Sequence, residues 1–396
     1  MATFFLIIIY LAFISLGLPD SLFGSAWTVM RHDFNAALGT AGMISMTASG
    51  GTIISSLLSE KLIRRFGTGK VTFFSVLTTA LALLGVSFAP SIIWIALLAI
   101  PLGLGGGSVD AALNNYVALH YKPHHMSWLH CFWGVGATIG PMIMAQFIQN
   151  GNNWRRGYLT VSIIQFALVL LLFVTLPMWG RNPKTPEKSE DSKDIKSSAV
   201  TDGNLPIMKI KGVKMALLSF LFYCAIEYTV GLWGSSYLVN IKDISPATAA
   251  RWVSMYYAGI TIGRLITGFV TMKLSSSRLI RYGQVLLLSG AVLLILPFHS
   301  VFSLIGLILI GLGCAPIFPC MLHETPHRFG EEQSQKIMGL QMACAYTGGT
   351  FLPPLLGFIA SRTSIVIMPA FVLVYIIAML ISSERINTIM KHKDLI

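Results

Sequence analysis

Long apolar runs, separated by short polar segments, fill most of this chain. Each run is about 20 residues or longer, the length that a helix needs to cross the hydrocarbon core of a bilayer. The runs lack the short alternating pattern of barrel strands, so they predict helices. The twelve predicted spans cover residues 3–29, 37–59, 71–89, 92–118, 127–149, 157–179, 213–239, 248–272, 279–298, 301–321, 337–360 and 365–383.

One polar segment divides the spans into six and six. Residues 180–212 are rich in Lys, Ser, Asp and Pro, a composition that cannot bury a core and is typical of a linker. The pattern therefore predicts an all-α membrane protein with an N-terminal six-helix bundle over residues 1–179, a linker over residues 180–212, and a C-terminal six-helix bundle over residues 213–396.

Composition supports this class. The chain is 54% hydrophobic and 11% charged, whereas a soluble domain carries about 25% charged residues. These values exclude a soluble globular enzyme, and they exclude a disordered chain, which needs low hydrophobicity and high charge. No nucleophile–base pair and no metal-ligand spacing stands out, so we expect no enzyme, no metal site and no cofactor other than a coupling ion.

The basic residues predict the orientation. Of the 28 Lys and Arg residues, 21 fall in the loops after even-numbered spans or in the C-terminal tail, and 6 fall on the opposite side. Because Lys and Arg concentrate in cytoplasmic loops, both termini and the linker are expected in the cytoplasm of a multi-pass plasma (inner) membrane protein. The net charge of +12 thus reflects topology and not nucleic-acid binding. We expect a monomer whose partners are the lipid bilayer and a small solute.

The two halves are similar to each other. The acids at positions 20 and 227 lie 207 residues apart, and paired glycines in the fourth and tenth spans lie 208 apart. Equivalent spans have the same predicted orientation, so the halves are parallel repeats, as in duplicated transporters. The acid of each half is followed by a glycine and a tryptophan. These residues are Asp20, Gly24 and Trp27 in the first span, and Glu227, Gly231 and Trp233 in the seventh.

Four charged residues fall inside predicted spans, away from the span ends: Asp20, Asp110, Glu227 and Arg264. A charge at the bilayer centre costs about 2.5–3.5 kcal/mol on insertion scales, so such residues usually face a water-filled cavity, pair, or exchange protons. We expect the three acids to be proton-coupling groups and Arg264 to be a structural or gating residue. The alternatives are a solvated Asp20 near a membrane face and purely structural polar clusters around the other acids.

Other polar and aromatic side chains are candidates for binding a solute. Asp110 and Asn114 are four residues apart and share one helix face. Carboxylate, amide and imidazole groups donate and accept hydrogen bonds, as a hydroxyl-rich solute requires, and aromatic rings offer flat faces to its C–H surface. The alternative for each aromatic is core packing or an interfacial belt. The predicted binding set is Asp20, Asp110, Asn114, Asn115, His130, Trp133, Glu227, Trp233, Tyr237, Tyr256 and Gln341.

A short charged loop follows the second span. It contains Glu60, Arg64, Arg65 and Gly67, an acid followed by basic residues around a glycine. We expect this segment to act as a gate that holds helix ends together.

Four stretches of the chain are distinctive. They are Asp20-Ser-Leu-Phe-Gly-Ser-Ala-Trp27, Gly-Gly-Gly-Ser-Val-Asp110-Ala-Ala-Leu-Asn114, Trp128-Leu-His130-Cys-Phe-Trp-Gly134-Val-Gly136-Ala137, and Tyr223-Cys-Ala-Ile-Glu227-Tyr-Thr-Val-Gly231-Leu-Trp233 with Gly263-Arg264-Leu-Ile-Thr-Gly268. These stretches resemble the major facilitator superfamily, and within it the branch of fucose–proton symporters and related bacterial and animal glucose transporters.

The resemblance implies a sugar carrier that works by alternating access. By it, Asp20 and Asp110 are the coupling and sugar-binding carboxylates, and His130 and Asn114 contact the sugar. The expected function is therefore proton symport of a hexose or deoxyhexose, with sodium still open as the coupling ion. A proton-driven exporter of drugs or metabolites is the main alternative, and a receptor that binds a solute without moving it is a third.

Overall fold

The computed structural model describes residues 2–121, 123–151, 153–179, 207–271, 273–297 and 299–393. These residues form thirteen α-helices and two short 3-10 helices, and they contain no β-strand. The helices are α1 (Ala2–Asp20), α2 (Leu22–Asp33), α3 (Thr40–Phe66), α4 (Thr68–Ser87), α5 (Ile92–His120), α6 (Pro123–Gln149), α7 (Trp154–Trp179), α8 (Val213–Ile241), α9 (Pro246–Val270), α10 (Ser276–Ile295), α11 (Val301–Phe329), α12 (Glu331–Arg362) and α13 (Met368–Lys393).

Twelve segments among the described residues are long and apolar enough to cross a membrane. The predicted all-α membrane fold of twelve spans is therefore confirmed. Helices α1 and α2 together make the first span, Phe5–Asp33, and each later helix makes one span. The first span extends beyond its predicted end because polar residues near Asp33 continue the helix. Residues 180–206 of the predicted linker lie outside the described residues, so the domain boundaries stay a prediction.

Apolar residues cover the outside of the spans as well as their contacts. Leu57 is 77% exposed and Leu170 is 65% exposed, although both lie within spans. Such a surface is stable only against lipid, because water would not tolerate so much apolar area.

The two halves meet at equivalent positions. A Cβ atom added to Gly24 of α2 would lie 2.5 Å from the carbonyl oxygen of Gly231 of α8. These glycines are 207 residues apart, the same offset that relates Asp20 to Glu227. Small residues at this crossing let the two helix backbones touch. Contact between equivalent residues is what a two-fold relation between repeats produces. The bundles also touch through α6 with α9 and through α3 with α12.

Hydrogen bonds join the bundles at the ends that carry the loops near residues 34–39, 150–153 and 242–245, which we call the outer end after the predicted topology. Arg31 donates to Asn240 Oδ1 at 3.0 Å, and Arg251 donates to Gln149. The Gly39 N–H donates to Ser361 Oγ at 2.6 Å. The outer end is therefore closed in this structure.

Candidate functional site

Asp20 lies at a break near the middle of the first span. Helix α1 ends at Asp20 and α2 begins at Leu22. Asp20 directly follows Pro19, a proline within α1. Proline has no N–H to donate to the preceding turn, so it weakens the helix here. Asp20 is exposed despite its depth in the span. Interrupted membrane helices of this kind form the solute and ion sites of many transporters.

Trp133 of α6 binds the carboxylate of Asp20. Its indole Nε1 donates to Asp20 Oδ2 at 2.8 Å. The two helices approach closely because Gly17 of α1 has no side chain, and a Cβ there would overlap the Trp133 carbonyl oxygen. Helix α1 thus brings its acid to the face of α6 that carries Trp133.

Asp110 and Asn114 are neighbours on one face of α5, as their spacing predicts. Asn114 Nδ2 donates to Asp110 Oδ1 at 2.9 Å, and both side chains are half-buried. The carboxylates of Asp110 and Asp20 lie within electrostatic range of each other. The side chain of Asn115 lies outside the described part of the structure.

Glu227 of α8 and Arg264 of α9 supply the charges from the other bundle. Arg264 Nη2 lies 3.7 Å from Glu227 Oε1, and the two side chains are 16% and 11% exposed. The Arg264 guanidinium also lies 5.4 Å from the centroid of the Trp133 ring, within the range of a cation–π contact. Arg264 therefore faces the central space between the bundles.

These contacts form one continuous chain across the bundle interface. It runs from Asp20 through Trp133 and Arg264 to Glu227, with two members on each side. The positive charge of Arg264 balances the negative charge of Glu227. Among the described residues, Asp20 and Asp110 have no ion-pair partner, so proton binding at either would relieve their mutual repulsion.

His130 lies beside this chain. It precedes Trp133 by three residues and thus shares its helix face. It is half-buried, its ring meets Phe13 edge-on at 5.9 Å, and it lies within electrostatic range of Arg264. The structure therefore groups six of the predicted binding residues: Asp20, Asp110, Asn114, His130, Trp133 and Glu227.

Four other predicted binding residues are buried elsewhere and hydrogen-bonded within the C-terminal bundle. Trp233 donates to the Pro353 carbonyl at 2.9 Å, and Tyr237 donates to the Leu294 carbonyl at 2.6 Å.

Gln341 accepts from Thr325 Oγ1 at 3.0 Å and is 1% exposed. Tyr256 donates to the Glu227 carbonyl at 3.1 Å, so it supports the backbone of the acid and does not itself line the site. The structure places all four in packing positions.

Two tyrosines that the sequence did not single out face the same space. Tyr228 of α8 is 47% exposed and Tyr346 of α12 is 37% exposed, and Tyr228 lies within electrostatic range of Asp20. Tyr346 has the same relation to Asp110. A tyrosine directly after an intramembrane acid was the only available signal for Tyr228, and no spacing pointed to Tyr346.

The predicted gate segment is not a loop: Glu60, Arg64 and Arg65 lie in the last turns of α3, and only Gly67 separates α3 from α4. Gly67 has a φ of +79°, which a residue without Cβ adopts readily, so it turns the chain between the two helices. The Arg65 guanidinium lies 5.3 Å from the Phe66 ring centroid, and Arg64 is exposed. The side chain of Glu60 is outside the described part. The gating role of these residues stays a prediction.

Known proteins are similar to this chain in sequence and in fold. Bypass of stop codon protein 6 of Saccharomyces cerevisiae is 23% identical over 387 residues, covering 90% of this chain and 77% of the relative. The glucose/mannose transporter GlcP of Bacillus subtilis is 23% identical over 369 residues, covering 90% and 88%. A crystal structure of a D-xylose–proton symporter aligns with a TM-score of 0.74 at 14% identity over 95% of this chain and 96% of that one, which shows a shared fold.

The family profile described as Major Facilitator Superfamily matches residues 9–250 and 215–388. Together these two matches cover nearly all of both bundles. The chain therefore belongs to the Major Facilitator Superfamily and is a multi-pass membrane transporter, not an enzyme.

Proposed function

We propose that this transporter carries a small sugar, a hexose or deoxyhexose, across the plasma membrane by proton symport. The observation that carries the proposal is the chain of contacts from Asp20 to Glu227, which crosses the interface between the bundles. A solute bound there would touch both bundles at once. Its binding would then depend on their relative position, as alternating access requires.

The side chains suit a hydroxyl-rich solute. Asp20 and Asp110 present carboxylate oxygens, Asn114 presents an amide, and Tyr228 presents a partly exposed ring with a hydroxyl. Sugar hydroxyls need such donors and acceptors, and the apolar C–H face of a sugar packs against aromatic rings. Similarity to the glucose/mannose transporter GlcP supports the same solute class.

Asp110 is the proposed proton carrier. It lies within electrostatic range of Asp20, and it has no ion-pair partner among the described residues, whereas Glu227 is held by Arg264. A proton on Asp110 would remove one negative charge from the cavity before the bundles move. Asp20 and Glu227 would shape the charge of the cavity and bind hydroxyls, and the proton would leave when the cavity opens to the other side.

The test is uptake into proteoliposomes. The purified protein is reconstituted, and labelled hexoses and deoxyhexoses are supplied with an inward proton gradient, with or without sodium. We expect accumulation that collapses with a protonophore and does not need sodium. Asp110→Asn should retain sugar exchange between the two sides while losing accumulation driven by the gradient.

Asp243→Asn is the matched control. Asp243 is exposed in the loop before α9 with a φ of +51°, a conformation that Asn tolerates, so this variant should accumulate sugar normally. Full accumulation by Asp110→Asn would rule out that residue as the proton carrier. If accumulation needs a sodium gradient, sodium and not the proton is the coupling ion.

Export of drugs or metabolites is the alternative function. Two acids without a cationic partner among the described residues would also attract a cationic amphipathic solute. Inverted vesicles loaded with labelled hexoses, or with a fluorescent cationic drug, separate the two functions. Proton-driven drug transport without any sugar transport would support the exporter.

A further inference from the structure

Pro19 removes one hydrogen bond from α1, and the group left without its helical donor is the carbonyl of Ser15. In an α-helix the N–H of each residue donates to the carbonyl four residues earlier, and proline has no N–H. Ser15 is 4% exposed, so this carbonyl cannot turn to water. A buried carbonyl without a donor is costly and requires a partner.

Gln165 of α7 supplies that partner. Its Nε2 donates to the Ser15 carbonyl at 2.8 Å. Its Oε1 accepts from Thr79 Oγ1 of α4 at 2.7 Å, which fixes the orientation of the amide. Gln165 is 1% exposed and Thr79 is 5% exposed. Three helices of the N-terminal bundle are thus joined at the turn of α1 that precedes the break.

The same turn leads directly to Asp20. A small cavity lies beside this turn, and its lining includes Ser15, Pro19, Asp20, Thr79 and Gln165. This cavity leaves a gap in the packing on the side of α1 that faces α4 and α7. The bond from Gln165 is the directional contact on this side, while the bond from Trp133 lies on the other.

We propose that Gln165 is a positioning residue for Asp20. It stabilises the interrupted geometry of α1 that presents the Asp20 carboxylate to Trp133, and it thereby sets the affinity for the solute. This inference rests on the proposed function in one respect, the assignment of Asp20 to the solute site. Without the donor from Gln165, the turn at Ser15 would shift toward another partner and would displace Asp20, five residues further along.

The first test needs no transport. Gln165→Leu is made in the wild-type chain and in Pro19→Ala, in which residue 19 regains an N–H that can donate to the Ser15 carbonyl. Gln165→Leu should lower the thermal unfolding midpoint in both chains. We expect the drop in the Pro19→Ala chain to be at most about half of the drop in the wild-type chain, because the two changes act on one carbonyl. Equal losses in both chains would overturn the inference.

The second test follows the position of Asp20 itself. Purified protein is treated with a water-soluble carbodiimide and an amine, and mass spectrometry gives the labelling rates of Asp20 and Asp110. We expect Gln165→Leu to change the ratio of these rates about threefold or more, because small displacements have large effects on reactivity. Thr79→Val, which removes the anchor of the amide together with a bond to the Val76 carbonyl in its own helix, should change this ratio less and in the same direction.

Gln284→Leu is the matched control. Gln284 of α10 is also 1% exposed, and its Nε2 has no hydrogen-bond partner among the described residues. This variant should leave the labelling ratio unchanged. In proteoliposomes, Gln165→Leu should raise the sugar KM about tenfold with little change in maximal rate, whereas Gln284→Leu should not.

The tests separate the two proposals. If the wild-type chain transports no sugar, the proposed function fails, and the unfolding and labelling results still decide the role of Gln165. An unchanged labelling ratio or an unchanged KM in a folded Gln165→Leu protein would overturn the positioning role.

Discussion

The guanidinium of Arg264 lies 5.4 Å from the centroid of the Trp133 ring, so a cation of one bundle rests on an aromatic side chain of the other. Each partner has a second contact in its own bundle. Trp133 donates to Asp20 at 2.8 Å, and Arg264 lies 3.7 Å from Glu227. A change of charge at either acid therefore acts on a contact between the bundles, which is the physical link that coupled transport needs.

The indole N–H of Trp133 is expected to set solute affinity. Trp133→Phe keeps an aromatic ring for Arg264 but removes the donor to Asp20. A hydrogen bond to a charged group contributes about 1.5–3 kcal/mol, so we expect the sugar KM to rise about tenfold or more. Trp27→Phe is the control, since Trp27 donates to the Leu38 carbonyl at 3.1 Å away from the site. Equal effects of the two variants would contradict the prediction.

The Glu227–Arg264 pair is expected to be coupled energetically. Both side chains are largely buried, so Glu227→Gln or Arg264→Gln alone leaves an uncompensated charge and should cost about 1–3 kcal/mol of stability, less than a fully buried pair. The double variant should recover part of this loss in thermal unfolding while remaining unable to transport.

The control pair is Arg281 and Glu384, whose side chains are 51% and 37% exposed. Exposed ion pairs contribute about 0–1 kcal/mol, so Arg281→Gln and Glu384→Gln should have small effects that nearly add. If the losses of stability in Glu227→Gln and Arg264→Gln simply add in the double variant, the pair is not coupled.

The outer end is expected to open when its helix crossing is widened. A Cβ on Gly42 of α3 would lie 2.7 Å from Pro354 Cα of α12, so Gly42→Val should push the two helices apart. Gly50→Val is the matched control in the same helix, because a Cβ there meets nothing within 4 Å.

Labelling of Cys131 measures this opening. Cys131 lies within electrostatic range of Arg264, and the other four cysteines are replaced by alanine. An impermeant thiol reagent applied to intact cells should label Cys131 several-fold faster in Gly42→Val than in Gly50→Val. No difference between the two variants would show that this crossing does not control access.

The hydroxyl of Tyr346 is expected to contribute to solute binding. Tyr346 is 37% exposed and lies within electrostatic range of Asp110, so Tyr346→Phe should raise the sugar KM about three- to tenfold by removing one hydrogen bond. Tyr375→Phe is the control, because the Tyr375 hydroxyl is buried without a hydrogen-bond partner among the described residues. A normal KM in Tyr346→Phe would remove Tyr346 from the site.

Much of the fold could be predicted from the sequence because the bilayer imposes it. A run of about 20 apolar residues has to be helical in lipid, where every backbone polar group needs an internal partner. The cost of charge in hydrocarbon likewise singled out Asp20, Asp110, Glu227 and Arg264 before any contact was known. In the structure all four lie together at the interface between the bundles.

The faces of the helices could not be predicted in the same way. Lipid and protein core are both apolar, so a membrane helix shows little contrast between its buried and exposed sides. Trp233, Tyr237 and Gln341 looked like cavity residues for this reason, yet they bind groups within the C-terminal bundle. Tyr346 looked no different from other tyrosines in spans, and only its position directly after Glu227 distinguished Tyr228.

The sequence by itself determined the class, the number of spans, the repeat and the short set of intramembrane charges, because each follows from transfer into lipid along a single helix. Only the tertiary structure decided which groups are partners. The bonds from Trp133 to Asp20 and from Gln165 to Ser15 join residues 113 and 150 positions apart. Such pairs depend on how helices cross and rotate against each other, and no local pattern records that.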